Sequence, residues 1–245
     1  MSPSETEPLA GIRLDQLSTH VATLEDAQQF LFRYGNAIRK YVTAVLRDTV
    51  AAEEVMQELI LAFLRRGGAQ TWPGKGRFRD YLKTAARNAA ITHLRKQGRQ
   101  PAALDLDIHA DPHSTEEAAD RALTSEWQRC VLDRVWRELE SHERRSPGNL
   151  CYTALQVFTE FRDEDSPKQA EIASTRAKHT LTPEAFRKQV SRARRLMAEF
   201  ILHEVARSIA AATADDVEGE LVELGLWPYV ADYLPDDWRS RFFGR

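Results

Sequence analysis

An all-α protein is expected from this sequence, because apolar residues recur at three- and four-residue steps through most of the chain, and convincing strand alternation is absent. Helix start and stop residues bracket the periodic runs. The 245 residues, 42% of them apolar, are enough for one large domain or two small ones. The expected arrangement is an N-terminal segment (1–26), a three- to four-helix domain (27–98), an acidic linker (99–121), a second small domain with helix-turn-helix character (122–207) and a C-terminal helical extension (208–245).

The first helical block runs from about Asp26 to Leu46, with Phe30, Tyr34, Ile38, Tyr41 or Val42, and Val45 on one face. The second, from Thr49 to Arg66, aligns Val55, Leu59 and Phe63, with Met56 and Ile60 widening the stripe. Its basic end followed by Gly67 and Gly68 suits a helix C-terminus. A loop from Gly67 to Gly76, containing Trp72, Pro73 and Lys75, leads into a helix over Gly76 to Arg99. There Phe78, Leu82, Ala85 or Ala86, and Ala89 form the apolar stripe. Arg77, Arg79, Lys83, Arg87, Arg95 and Lys96 occupy the rest of that surface. From Arg65 to Arg99 ten basic residues face the single acid Asp80, although the whole chain carries a net charge of -3. Such a surface can hold phosphates, and Tyr81 and Asn88 add groups that stack on or hydrogen-bond unpaired bases, so single-stranded nucleic acid is the expected partner.

Between Arg99 and Asp120 the periodicity stops at Pro101 and Pro112. Asp105, Asp107, Asp111, Glu116, Glu117 and Asp120 then accumulate without an intervening base, which reads as a linker. Beyond it, Trp127, Val131, Val135 or Trp136, and Leu139 mark a helix that breaks at Ser146-Pro147-Gly148. Tyr152, Leu155 and Phe158 or Phe161 mark another. Ser166-Pro167 and Thr182-Pro183-Glu184 are both helix starts, with proline in the tolerated first turn. The last of these helices turns Phe186, Val190, Ala193, Met197 and Phe200 inward and Arg187, Lys188, Ser191, Arg194 and Arg195 outward. A short helix, a connector and a basic helix have the grammar of a helix-turn-helix.

Cys130 and Cys151 lack CxxC spacing and suit ordinary reduced thiols in a cytoplasmic protein. His109 and His113 have no third ligand cluster nearby, so no metal site and no cofactor are expected. The seven histidines are too scattered for a metal-dependent hydrolase, and no P-loop, nucleophile elbow or HExxH motif is present, so no enzymatic activity is expected. No apolar run reaches the length of a membrane span, and MSPSETEPLAG lacks a signal pattern, so neither membrane insertion nor export is expected.

RYGNAIRKYV followed by AAEEVMQELILAFLRR, and then FRDYLKTAARNAAITHLRK, together resemble the bacterial sigma-70-type initiation factors of the extracytoplasmic-function group. The likeness covers roughly Phe30 to Glu204 and adds a C-terminal extension to the family pattern. It implies a promoter-melting domain and a helix-turn-helix domain, with core RNA polymerase and promoter DNA as partners. An anti-sigma factor or a regulatory kinase is a further partner the family allows. By this resemblance Glu53, Glu54, Gln57 and Glu58 dock on the polymerase clamp helices. Trp72, Lys75, Arg77, Phe78, Tyr81, Arg87, Asn88 and His93 read and melt the minus-ten element, while Arg187, Lys188, Ser191, Arg194 and Arg195 approach the minus-thirty-five duplex. The connector STRAKHTLT, Ser174 to Thr182, is longer than the family's compact turn. The alternative is a conventional helix-turn-helix regulator that binds duplex DNA without polymerase, which leaves the acidic helix and the aromatic loop without a role.

The extension carries eight acids, Asp215 to Asp237, against Arg239, Arg241 and Arg245, together with Leu221, Leu224, Leu226, Trp227, Tyr229, Tyr233, Trp238, Phe242 and Phe243. Two expectations follow: a helical hairpin that completes the second domain's core, or an acidic mask over the basic faces around Arg87 and Arg194.

Overall fold

The computed structural model describes residues 24–65, 76–98, 112–146 and 148–244. Among these residues it is all-α, with one isolated antiparallel bridge between Arg77 and Ile209 and no strand. Helices α1 (Leu24–Leu46) and α2 (Thr49–Arg65) form a hairpin closed by Arg47 and Asp48. Arg47 takes the left-handed conformation at φ 52° and donates its N–H to Thr43 O at 2.8 Å, while the Asp48 carboxylate accepts the N–H groups of Val50 and Ala51. Helix α3 (Phe78–Lys96) lies against both, burying Phe78, Leu82, Ala86, Ala90 and Leu94 at a strict four-residue spacing.

Helix α4 (Pro112–Arg145) joins the two halves of the molecule. Proline begins it rather than breaking it, since a first-turn residue has no intrahelical acceptor for an N–H. Residues 112–121 of the expected linker are therefore helical. Ala119, Leu123, Trp127, Val131, Val135 and Leu139 form one continuous buried stripe. At about 1.5 Å per residue its 34 residues span roughly 50 Å, long enough to pack first on α1 and then on the C-terminal helices. Trp127 stacks on Tyr34 of α1, centroids 3.8 Å apart, and the Tyr34 hydroxyl donates to Glu204 at 3.1 Å.

Helices α5 (Cys151–Glu160), α6 (Ser166–Ala177) and α7 (Pro183–Ala206) enclose a second apolar cluster built on Leu139, Leu155, Phe186 and Val190. Asp165 and Thr182 cap α6 and α7 by accepting the N–H groups of Lys168 and Ala185. The connector between them is compact, running only from Lys178 to Thr182, because α6 continues through Ala177. Lys178 closes α6 in the left-handed conformation without a glycine to announce it, and the Ser174 hydroxyl accepts the Leu181 N–H at 2.8 Å across the turn.

The C-terminal half of α7 leaves the second cluster and enters the first, through Ala198, Ile201, Leu202 and Val205. Helices α8 (Ala214–Glu223), α9 (Trp227–Val230) and α10 (Trp238–Phe243), with a 3-10 turn at Ala231–Tyr233, follow it there. Thr213 and Asp216 form a capping box at the start of α8. Leu221, Leu224, Leu226, Val230, Trp238 and Phe242 are buried in the same cluster as Tyr34, Phe78 and Trp127, so the C-terminal segment completes the core of the first half. The segment packs on α7, which belongs to the expected second domain, and the cluster it joins there runs on into the first half.

His203 of α7 packs edge-on against Phe242 at 5.4 Å, and its Nδ1 has no hydrogen-bond partner among the described residues. Burial, aided by the charge of Arg207, pushes its pKa down to about 4. The unfolded imidazole titrates near 6.5 and takes up its proton first, so the stability tied to a neutral His203 is complete above about pH 6.5 and is lost as pH falls toward 4, by up to about 3 kcal/mol. Burial raises Glu199, which acts in the opposite direction. In urea unfolding series from about pH 7 to pH 4, His203→Leu is expected to lose less stability than the parent. Parallel pH profiles would remove His203 as the acid-sensitive group.

Candidate functional site

Three surfaces carry the residues singled out in the sequence. On α2, Glu53, Glu54, Gln57 and Glu58 all face solvent. Arg39 pairs with Glu53 at 3.2 Å, Lys96 pairs with Glu58 at 2.9 Å, and Glu54 lies 3.9 Å from His93 Nδ1. Their face also presents Ile60 and Leu61, 37% and 49% exposed. Ile60 thus does not join the apolar stripe assigned to it, while Met56 does. Leu61 lies three and four residues beyond Glu58 and Gln57, which is the helical spacing that could have revealed an apolar-acidic patch in the sequence.

The second surface is α3. Trp72 and Lys75 lie outside the described residues. Phe78 is 1% exposed and stacks at 6.0 Å on the half-buried Tyr81, so its ring fills the core. His93 is also buried and shares a hydrogen bond of 2.9 Å between its Nε2 and the Gln97 amide. Arg87 and Asn88 are exposed. Arg77, Arg79, Lys83 and Arg87 are all engaged by carboxylates. Arg79 makes a two-pronged contact with Glu220 of α8, Nε at 2.9 Å and Nη2 at 3.0 Å, and reaches Glu223 at 2.6 Å. Arg77 joins the same two carboxylates, 3.1 Å from Glu220. Lys83 pairs with Asp120 at 2.7 Å and Arg87 with Glu116 at 3.1 Å, both acids being on α4. Burial alone would lower the Arg77 and Arg79 pKa values, but the hydrogen bonds and charges of Glu220 and Glu223 outweigh it and leave both raised. Glu223 is lowered in return: burial opposes its charge, and the two guanidinium groups prevail.

The third surface is α7, where Arg187, Lys188, Ser191 and Arg195 are exposed at steps that keep Arg187, Ser191 and Arg195 on one face. Lys188 pairs with Glu184 at 2.9 Å. Arg194 is half-buried between the rings of Phe158, at 4.4 Å, and Tyr233, at 5.7 Å. A cleft of about 360 Å³ opens beside it, lined by Ser166, Arg187, Ser191 and Tyr233 among others. The acidic tail thus reaches neither Arg87, which is held by α4, nor Arg194 with a carboxylate. Of its acids, Glu220 and Glu223 go to Arg77 and Arg79, while Asp215 and Glu218 pair with Arg239 of the same segment. Burial pushes the Cys151 thiol up to about 12, leaving it inert. Among the described residues no group of three His, Cys, Asp and Glu side chains could hold a metal ion, and no helix is long and apolar enough to cross a membrane.

Residues 31–100 match the family model of sigma-70 region 2, a stretch that spans most of α1 and all of α2 and α3. No curated protein and no solved structure matches the chain. The match is a likeness to one region of the sigma-70 factors, which serve RNA polymerase in promoter recognition, and it covers 70 of the 245 residues.

Proposed function

On the premise of a sigma-70 region 2 at residues 31–100, we propose that this protein is an initiation factor of the extracytoplasmic-function type, which binds core RNA polymerase and directs it to promoters. The observation that carries the reading is the coincidence of that match with two opposite surfaces, an exposed acidic-apolar face on α2 and a basic face on α3. Glu53, Glu54, Gln57 and Glu58, with Ile60 and Leu61, contact polymerase. An apolar patch ringed by charge suits a protein partner and has no use on a duplex-binding regulator. Arg87 and Asn88, with Tyr81 and the cations at the start of α3, read and melt the minus-ten element, using phosphate contacts for placement and base contacts for choice. Phe78 and His93 support α3 from the core rather than touching DNA. Arg187, Ser191 and Arg195 on α7, set beyond a compact turn from α6, meet the minus-thirty-five duplex.

The double substitution Glu54→Lys, Glu58→Lys is expected to abolish binding to core polymerase while leaving the fold intact, because exposed charges rarely contribute more than about 0.5 kcal/mol to stability. The surface pair with Lys96 is lost and a like-charge contact replaces it, a small effect at half-exposed positions. Size-exclusion chromatography with core polymerase, without DNA, reads the result. Co-elution of the double variant at moderate salt would overturn the docking assignment.

A further inference from the structure

The start of α3 is fastened to the C-terminal segment twice over. Phe78 N–H donates to Ser208 O at 2.9 Å and Ala210 N–H to Gly76 O at 3.1 Å, so the backbone just before α3 is stitched to the end of α7. Beside this stitch, Glu220 is completely buried, with both carboxylate oxygens on Arg79 and one on Arg77. A buried carboxylate contributes less to folding than an apolar residue of similar size would. Its presence on α8 is explained by the two guanidinium groups it meets. Farther along α3, Asp120 and Glu116 hold Lys83 and Arg87. Four successive cations of one helix therefore face carboxylates from two separate elements, in the way they would face phosphates.

We propose that the protein carries its own nucleic-acid mimic: Glu220 and Glu223 of α8, with Glu116 and Asp120 of α4, occupy the phosphate-binding cations of α3 and hold it closed, so that DNA must displace them. This rests on the reading of α3 as a DNA-binding helix. The two sets differ in strength. Glu116 and Asp120 form half-exposed pairs that exchange readily, whereas the Glu220 contact is dry and bidentate. Promoter contact therefore begins at Lys83 and Arg87 and reaches Arg77 and Arg79 only when α8 gives way.

The test uses full-length protein and fluorescently labelled oligo(dT), titrated at several salt concentrations. Each phosphate newly neutralised on a single strand steepens the logarithmic salt dependence by about 0.7. Both Glu116→Gln, Asp120→Asn and Glu220→Gln, Glu223→Gln should therefore bind about tenfold tighter at low salt, with slopes steeper by about 1.4. The control Asp236→Asn, Asp237→Asn makes the same change in net charge and should not. If losing Glu220 unfolds the protein, the exposed pair on α4 decides the matter alone. Lys83→Gln, Arg87→Gln separates the two ideas. If it weakens binding while the folded acid variants match the parent, α3 binds DNA and the mimic is wrong. If neither acid nor base variants alter binding, the reading of α3 fails and the mimic with it.

Discussion

Truncation after Arg207 is expected to yield a protein that melts far below the full chain or aggregates on purification. The deleted segment supplies Leu221, Leu224, Leu226, Val230, Trp238 and Phe242 to the core shared with Tyr34, Phe78 and Trp127. Burying one such side chain stabilises by about 1.5 to 3 kcal/mol, so the loss is on the order of 10 kcal/mol, comparable with the whole stability of a typical domain, about 5 to 15 kcal/mol. The apolar surface left behind on α1, α3 and α7 favours association. Thermal melting together with light scattering checks this. A monomeric truncated protein that melts within a few degrees of the parent would show that the extension is an accessory and not part of the core. For the same reason truncation cannot reveal a masking role: any gain in DNA affinity is lost with the fold, and only point changes at Glu220, Glu223, Glu116 and Asp120 isolate it.

Phe78→Ala and Asn88→Ala are expected to fail in different ways although both lie on α3. Phe78 is fully buried, and removing its ring leaves a cavity that costs about 3 to 5 kcal/mol. At about 2 to 4 °C per kcal/mol for a chain of this size, the melting temperature falls by roughly 10 °C. Asn88 is exposed, so Asn88→Ala changes stability by less than about 0.5 kcal/mol. Its defect appears in promoter opening on duplex DNA, and a pre-melted template should restore it only in part, since a base contact is lost as well as the help in unpairing. Permanganate footprinting beside thermal melting separates the two outcomes. An Asn88→Ala variant that opens duplex promoter as well as the parent would remove Asn88 from the DNA surface. A Phe78→Ala variant with unchanged melting would mean that the core does not need the ring.

Local rules were legible in the sequence because they act within a turn or two of helix. The stripe on α3, the threonine and proline that start α7, and the basic run from Arg65 to Arg99 depend on residues three or four positions apart, and the structure contains each helix that these signals mark. Pro112 misled because a proline that ends one pattern and one that begins the next helix look alike without a view of what α4 packs against. Lys178 hid a compact turn, since its left-handed conformation is held by the hydrogen bonds around it and not by its residue type.

What tertiary structure alone decided is which faces are used up. Ile60 reads as core by spacing and lies exposed, because among the described residues no helix covers that side of α2. The family resemblance places Phe78 on the DNA surface, whereas its ring lies in the core shared with α1, α2 and the C-terminal helices, where its place in the apolar stripe puts it. Glu220 reads as one acid among eight, and its burial depends on Arg79, 141 positions earlier in the chain. Helix formation is set by near neighbours, whereas the fate of a charge is set by whether folding brings an opposite charge into the same dry space.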